Sequence, residues 1–364
     1  MAVVADRSTV EALLAGFVDP LTGESLKDAG ALSGLALDGD KLAVQIELGY
    51  PAKGIQEQLG TDIENHLKQS GSYSAVAVEV TSRVVAHKVQ GELTPLPEVK
   101  NVIAVASGKG GVGKSTTSVN LALALAAEGA TVGLLDADIY GPSQPRMVGA
   151  SGKPESDDGH TIEPKISHGL QTMSIGYLID EDTPMVWRGP MVTQALQQLI
   201  SDTRWKGLDY LIIDMPPGTG DIQLTLAQRV PVSGAVIVTT PQDIALLDAK
   251  KGLRMFEKVS VPVLGIVENM STHVCSKCGH EEPIFGEGGG ASMAEQYNVK
   301  LLGQLPLDIR IRQQTDSGNP TVVAEPDGAL AQSYREIARQ TAAQLSVQAR
   351  NKKVQFPNIV IKDT

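Results

Sequence analysis

One glycine-rich segment limits the possible folds of this chain more than any other feature. Residues 108–115 read Gly-Lys-Gly-Gly-Val-Gly-Lys-Ser, which fits the phosphate-loop pattern GxxxxGK[ST]. The segment lies directly after an apolar run at residues 102–106 and directly before a helical pattern at residues 116–128. Because the pattern is credible only between a strand and a helix, this order predicts a P-loop.

The chemistry of this loop predicts that it binds ATP through the phosphates. Glycines let the backbone bend tightly and turn several N–H groups towards an anion, and the following helix adds about half a positive charge at its N-terminus. We expect Lys114 to contact the β- and γ-phosphates and the Ser115 hydroxyl to bind Mg²⁺. The predicted nucleotide contacts in the loop are Gly108, Lys109, Gly110, Gly111, Val112, Gly113, Lys114, Ser115 and Thr116.

Short apolar runs alternate with helical patterns through the rest of this region. The runs are rich in Val, Ile and Leu and occupy residues 102–106, 131–136, 210–214, 235–239 and 263–267. Helical patterns at residues 116–128, 191–201 and 245–259 lie between them. This alternation predicts an α/β fold with a mainly parallel sheet covered by helices on both faces, in which ligands bind at the carboxyl ends of the strands.

The first part of the chain has a different pattern, which predicts a small α+β domain. Apolar residues alternate with polar ones at residues 42–48 and 75–82, and helical patterns occupy residues 10–17 and 56–69. Two prolines in a polar setting at residues 91–98 indicate a linker. We expect the small domain at residues 1–95, the end of the linker at 96–100, the ATPase domain at 101–350, and a C-terminal tail at 351–364 with a strand-like piece at 359–361.

Composition argues against several classes of partner. The formal net charge is −11 and the isoelectric point is about 5.1, whereas a nucleic-acid grip needs a basic face to neutralise phosphates. The N-terminus has no signal-peptide pattern, and no run approaches the roughly 20 apolar residues of a membrane span. We therefore expect a cytoplasmic protein that binds neither nucleic acid nor membrane.

Carboxylates follow two of the predicted strands. Asp214 ends an apolar run, as in a Walker B pattern, and Asp136 and Asp138 follow the predicted strand residues 131–135 in the same way. Because Mg²⁺ keeps most of its waters, carboxylates at this distance can hold it indirectly. The predicted magnesium site therefore consists of Ser115, Asp136 and Asp214, partly through water.

The only two cysteines, Cys275 and Cys278, lie three positions apart, which is not a disulfide framework. One CxxC supplies two thiolates, whereas structural zinc and iron–sulfur clusters usually take four ligands. From the residues alone, His273 and His280 could complete a zinc site, two chains could each contribute a pair, or the pair could be a redox dithiol.

The early lysine of the loop, Lys109, gives the first family resemblance. The string KGGVGKST resembles the deviant Walker A motif of the family that includes MinD, ParA, the arsenite-pump ATPase and the nitrogenase iron protein. In that family the early lysine reaches the nucleotide of the other subunit, which implies a homodimer for hydrolysis and a catalytic set of Lys109, Lys114 and Asp138. The resemblance places Asp138 in switch I, where it orients the attacking water, and Asp136 as a strand-end residue or a ligand of magnesium through water.

Other segments take their expected roles from the same resemblance. The segment Pro-Pro-Gly-Thr-Gly after Asp214 resembles switch II, with Gly218 free to re-orient. Asn269 is expected to contact the adenine base, and residues 306–308 lie where a second base-recognition segment would fall.

A longer ordered set of segments makes the resemblance specific. The strings KGGVGKST, LLDADIYGPS, WRGPM, IIDMPPGTGD, ENMS, CxxCGH and FGEGGG resemble the Mrp/ApbC branch of the Nbp-type iron–sulfur cluster carriers. This resemblance implies an ATP-hydrolysing carrier whose homodimer holds one [4Fe–4S] cluster on Cys275 and Cys278 of both chains. Its implied partners are cluster-assembly factors and the apo-proteins that receive the cluster. A MinD- or ParA-like spatial organiser and an ATPase with a structural zinc are the alternative functions.

The N-terminal region resembles the small domain of cluster-assembly factors through Asp-Pro-Leu-Thr-Gly-Glu-Ser-Leu at residues 19–26. That domain often carries a cysteine beside a proline after its second strand, and this chain has Tyr50 and Pro51 there. We therefore expect a docking or structural module without a thiol role.

Overall fold

A computed structural model describes residues 7–70, 73–91, 93–179, 189–275 and 277–354. The predicted strand-like piece at residues 359–361 lies outside the described residues, as do Trp187 and Arg188 of the WRGPM segment. The described residues form two compact units. One lies within Met1–Val84 and Ala342–Thr364, and the other within Val85–Thr341.

The first unit is the predicted small α+β domain. Its elements are α1 (Arg7–Leu14), β1 (Leu32–Asp38), β2 (Lys41–Leu48), α2 (Gln56–Lys68) and β3 (Ala75–Ser82). The sheet order is β1-β2-β3, with β1 antiparallel and β3 parallel to β2. Alternate residues of β2 are buried, as the period-two pattern predicts. Strand β1 has no such alternation of buried and exposed residues, and its pairing with β2 contains a register shift. A period-two pattern in the sequence therefore does not predict it.

Tyr50, at the place where related domains often carry cysteine, makes a structural hydrogen bond. Its hydroxyl donates to Asp19 Oδ2 at 2.8 Å, and both side chains are buried. Asp19 Oδ1 accepts from the backbone N–H of Leu21 at 2.9 Å. Tyr50 therefore fixes the turn that begins the Asp-Pro-Leu-Thr-Gly segment.

Nine of the described strands form the sheet of the second unit. They are β4 (Val99–Ala106), β5 (Val132–Asp136), β6 (Lys165–Ser167), β7 (Leu170–Ser174), β8 (Leu208–Asp214), β9 (Gly234–Thr239), β10 (Val263–Val274), β11 (Glu281–Glu282) and β12 (Lys300–Leu307). The order is β11-β10-β9-β4-β8-β5-β7-β6, and β12 also pairs with β10. Only the β6–β7 and β10–β11 pairs among them are antiparallel, so the predicted mainly parallel sheet is confirmed.

Helices follow most of these strands. They are α3 (Lys114–Ala127), α4 (Gln144–Met147), a 3₁₀ turn (Ile175–Tyr177), α5 (Gly189–Asp202), α6 (Asp221–Arg229), α7 (Asp243–Lys258), α8 (Gly289–Tyr297), α9 (Ile309–Asp316), α10 (Thr321–Ala324) and α11 (Ala329–Val354). Strand β9 is buried along its whole length, and β4 is buried except at Lys100. In the part of the chain that the structure describes, no helix has the length and apolar character of a membrane span.

Strand β10 is longer than its apolar run predicts. The run ends at Val267, but the strand continues to Val274. Glu268 and Asn269 still pair with Gln304 and Leu305 of β12, and the last two residues pair with β11. The polar residues after the predicted run stay in the strand because neighbouring strands supply their backbone partners.

A buried carboxylate joins α3 to α11 within the second unit. Glu128 is fully buried at the end of α3, and its Oε1 accepts from Arg335 Nε at 2.7 Å and from Arg339 Nη1 at 2.8 Å. Removing one partner from such a group leaves the remaining charges poorly compensated.

The Glu128→Ala variant is expected to lower the free energy of unfolding of this unit by about 3 kcal/mol, because two largely buried guanidinium groups lose their anion. Urea denaturation followed by circular dichroism measures the change. Glu257→Ala is the matched control, since Glu257 pairs with Arg254 on an exposed face of α7 and its loss should leave the midpoint unchanged. Equal midpoints for the two variants would contradict the prediction.

Candidate functional site

The predicted P-loop connects β4 to α3 at the carboxyl end of the strand. Gly111 and Gly113 have φ angles of +81° and +80°, a left-handed backbone that favours glycine. Gly113 is the N-cap of α3, and no side chain caps this end of the helix. The first N–H groups of α3 therefore face the loop, as an anion-binding helix terminus requires.

Two glycines of the loop are also required by packing. A Cβ atom on Gly108 would lie 2.1 Å from the carbonyl carbon of Asp248 on α7. One on Gly113 would lie 2.2 Å from Asn269 Nδ2. Asn269, on β10, donates from Nδ2 to the Val112 carbonyl at 2.9 Å. Asn269 thus contacts the P-loop backbone, and its contact with the base stays a prediction.

Lys114 and Asp214 form a buried ion pair. Lys114 Nζ lies 2.5 Å from Asp214 Oδ1 and 3.3 Å from Ser115 Oγ, and the two charged side chains are 6% and 0% exposed. Ser118 Oγ, one turn along α3, also donates to Asp214 Oδ1 at 2.8 Å. The structure therefore brings together three predicted site residues: the Walker A lysine Lys114, the expected magnesium ligand Ser115 and the Walker B carboxylate Asp214.

Asp136 lies opposite Asp214, because the two residues are register partners in the β5–β8 pair. Burial, and then the nearby Asp214 carboxylate, raise the pKa of Asp136 to about 7. Its Oδ2 accepts from the backbone N–H groups of Ser143 and Gln144 at 2.9 and 3.0 Å, and from Ser174 Oγ at 3.2 Å. This geometry fits the strand-end role, since the carboxylate holds the loop that follows β5.

Asp138 is half-buried in that loop. Its backbone N–H donates to Asp136 Oδ1 at 3.1 Å. Burial raises the pKa of the Asp138 carboxyl, and the positive charge of Lys114 opposes the shift. The side chain is therefore close enough to the P-loop to interact electrostatically with Lys114.

The predicted switch II segment is bonded to the start of the P-loop. Gly218 has a φ angle of +100°, and its N–H donates to the Ser107 carbonyl at 3.0 Å. The Gln223 side chain donates to the Pro217 carbonyl. The Gly218 bond therefore links this segment to the residue that precedes the P-loop.

Lys109 is half-exposed on the loop. Ser107 Oγ donates to the Lys109 carbonyl at 2.9 Å, which fixes the backbone next to the side chain. Within the described ranges, the Lys109 ammonium makes no ion pair. This charge is free to contact an anionic group from outside the chain.

Three further residues hold the site and were missed from the sequence. Ser118 and Ser174 donate to Asp214 and Asp136, and Gln144 Nε2 donates to Asp214 Oδ2 at 2.9 Å and to the Ser115 carbonyl at 3.0 Å. The position of Ser118, one helical turn after Lys114, could have indicated from the sequence that it faces the site. No sequence feature indicated Ser174 or Gln144, because they reach the site from elements that only the fold brings close.

The two cysteines lie on a turn between β10 and β11. The Cys275 N–H donates to the His280 carbonyl at 2.9 Å, and the Gly279 N–H donates to the Cys275 carbonyl at 2.8 Å. Cys278 is exposed and Cys275 is half-exposed. Hydrogen bonds from the backbone N–H groups of Lys277 and Cys278 lower the pKa of the Cys275 thiol, which favours the thiolate that binds metal.

The histidines near this turn do not complete a metal site with the cysteines. Among the residues that the structure describes, no group of three or more His, Cys, Asp or Glu side chains is placed to hold a metal ion. His273 Nδ1 instead lies 3.2 Å from the Leu307 carbonyl. The turn therefore offers two thiols from one chain.

Residues 306–308, the predicted second base segment, end β12 and begin α9. Asp308 is the N-cap of α9, and its side chain accepts from the Arg310 N–H at 2.8 Å. The Arg310 guanidinium lowers the pKa of Asp308. The structure shows a capping role, and base recognition by this segment stays a prediction.

Strand β10 joins the nucleotide loop to the cysteine turn. Asn269, on β10, contacts the P-loop, and Cys275 follows directly after the last residue of this strand. Met270 lies between them with a φ angle of +57°, and the pairing with β12 shifts register between Asn269 and His273. The strand is therefore irregular between the two candidate sites.

The chain is similar to known families and proteins over most of its length. A family described as NUBPL iron-transfer P-loop NTPase matches residues 98–342, and one described as iron–sulfur cluster assembly protein matches residues 7–80. The iron–sulfur cluster carrier protein of Escherichia coli strain K12 is 53% identical over 340 residues, 93% of this chain and 92% of that protein. The iron–sulfur cluster transfer protein NUBPL of Mus musculus is 51% identical over 253 residues, 69% of this chain and 79% of that protein.

One solved structure is also similar. A nucleotide-binding protein from Archaeoglobus fulgidus, in complex with ADP, aligns with a TM-score of 0.56 and 38% sequence identity. The alignment covers 64% of this chain and 90% of that chain.

Proposed function

This chain belongs to the NUBPL iron-transfer P-loop NTPase family, and on that premise we propose that it hydrolyses ATP while carrying a [4Fe–4S] cluster to apo-proteins. The observation that carries the proposal is that two thiols lie on the turn directly after β10, the strand whose Asn269 contacts the P-loop. The cluster is cargo, and its thiolate ligands are Cys275 and Cys278.

The proposed cluster lies between two copies of the chain. A [4Fe–4S] cluster takes four thiolates, and this chain has only Cys275 and Cys278. The lack of a third ligand group near these thiols within the described residues argues against a mononuclear zinc site in one chain. A second copy supplies the other two thiolates and makes the set complete.

In the proposed hydrolysis, the chain holds and orients the reacting groups. The α3 N-terminus and Lys114 bind the phosphates, and Asp138 orients the attacking water. Ser115 would hold Mg²⁺, with Asp214 and Asp136 behind it. When bound there, the ion would supply positive charge that offsets the charge of the phosphate oxygens. Lys109 acts on the nucleotide of the partner subunit.

Anaerobic reconstitution with iron and sulfide tests the carrier function. The wild-type protein is expected to take up about four iron and four sulfide per dimer, to show the absorption of a [4Fe–4S] cluster, and to activate an apo-enzyme that needs one. Elemental analysis of protein purified without air separates this result from bound zinc. A dimer that takes up no cluster, or a protein with one tightly bound zinc per chain, would overturn the proposal.

The Lys109→Ala variant tests the dimer in hydrolysis. ATP turnover is expected to fall about a hundredfold, because the partner's phosphates lose one cation. ADP binding to each chain should stay unchanged, since Lys114 remains. Steady-state phosphate release measures turnover, and Lys153→Ala, an exposed lysine outside the loop, is the control. Turnover equal to wild type would rule out this role for Lys109.

A further inference from the structure

Gln144 is a buried polar residue that the proposed mechanism leaves without a role. It is the first residue of α4 and is only 1% exposed. Its backbone N–H donates to Asp136 Oδ2, so the residue ends the loop that contains Asp138. Its side chain extends from that loop to the P-loop and the Walker B carboxylate.

The orientation of the Gln144 amide is fixed by its partners. Nε2 donates to the Ser115 carbonyl at 3.0 Å and to Asp214 Oδ2 at 2.9 Å. Both partners are acceptors, so the nitrogen must face them and the oxygen must point the other way.

The oxygen of this amide is a buried acceptor without a donor. Among the described residues, none donates a hydrogen bond to Gln144 Oε1. A buried carbonyl oxygen without a partner costs about 1–3 kcal/mol, and a group of this kind in a folded protein calls for a specific explanation such as a bound ion or water. The oxygen belongs to an amide that bonds Ser115 and Asp214, two of the three residues predicted to hold Mg²⁺.

Magnesium chemistry supplies the missing donor. Mg²⁺ bound to a protein keeps several waters, and each water directs its hydrogens outward to acceptors around the ion. Both oxygens of Asp214 are already engaged, Oδ1 by Lys114 and Ser118 and Oδ2 by Gln144. The Gln144 oxygen has no competing protein donor within the described residues.

We propose that Gln144 is a positioning residue of the magnesium site, whose amide nitrogen holds Asp214 and Ser115 and whose oxygen accepts a hydrogen bond from a Mg²⁺-bound water. This inference rests on the proposed binding of nucleotide with Mg²⁺ at the P-loop. It also gives the loop after β5 a contact with the ion, because the Gln144 and Ser143 N–H groups hold the same loop on Asp136.

The Gln144→Met variant tests this role through the metal dependence of nucleotide binding. Methionine keeps the length of the side chain and removes both polar ends. Binding of a fluorescent ADP analogue is titrated with Mg²⁺, and the concentration for half-maximal tight binding is expected to rise about tenfold, as for the loss of one hydrogen bond to a charged centre. Binding in EDTA should match wild type, which a general distortion of the P-loop would not allow.

Arg146→Ala is the matched control, because Arg146 is exposed on the same short helix. Its Mg²⁺ titration should follow that of wild type. Gln144→Leu serves as a second variant if methionine prevents folding. A wild-type Mg²⁺ titration in both Gln144 variants, or an equal loss of ADP binding with and without Mg²⁺, would overturn the role of Gln144. A wild-type protein that binds no nucleotide would instead overturn the proposed function.

Discussion

Lys114→Ala is expected to lower ATP turnover about a thousandfold, because the variant loses the cation that the P-loop directs at the transferring phosphoryl group. The lysine is also the counter-ion of a fully buried carboxylate, Asp214, at 2.5 Å. Its removal should therefore lower the free energy of unfolding as well, by about 3 kcal/mol. Phosphate release and urea denaturation measure the two effects separately.

The double variant Lys114→Ala/Asp214→Asn separates catalysis from stability. An amide in place of the buried carboxylate removes the uncompensated charge, so part of the lost stability should return. Turnover should not rise above the level of the single variant, because neither change restores a cation at the phosphates and Asp214 itself is predicted to hold Mg²⁺. Lys251→Ala is the control, since this lysine is exposed on α7 and pairs with Asp248 on the same helix. If stability and turnover both recover in the double variant, the lysine is structural only.

Cys275→Ala is expected to abolish uptake of the [4Fe–4S] cluster, because the dimer would keep only two of the four thiolates that the cluster takes. Cys278→Ala should have the same effect, since a twofold pair of chains loses two ligands with either change. Iron and sulfide content and the cluster absorption band after anaerobic reconstitution measure the loss. ADP binding should persist, because Lys114 and the helix terminus that bind the phosphates are unchanged.

Lys277→Ala is the control for the cysteine variants, because it changes an exposed side chain of the same turn and removes no thiol. Its cluster content should equal that of wild type. Full cluster uptake by Cys275→Ala would show that other ligands hold the iron. A loss of nucleotide binding in the same variant would show that the substitution disturbs the fold beyond the turn.

Local patterns made much of the second unit predictable. Strands β4, β5, β8 and β9 are short and apolar because they are buried. Each begins and ends within three residues of its predicted bounds. The P-loop and Asp214 were also predictable. Residues at the carboxyl end of a strand come directly after its apolar run in the sequence, so their position at the sheet edge is known once the strand is found. Strand β12 and the polar end of β10 were not, because the backbone partners that hold them come from distant parts of the chain.

The site shows the same division. The sequence by itself determined which groups are available: the glycine loop, Lys114, Ser115, the strand-end carboxylates and two thiols. Only the tertiary structure decided how they are held, with Asp136 opposite Asp214 across β5 and β8, Asn269 against the P-loop, and Gln144 bonded to Ser115. The physical reason is that the chemistry of a side chain belongs to the residue itself and can be read directly from the sequence. Hydrogen bonds and burial, in contrast, depend on partners that lie from 29 to 157 positions away along the chain.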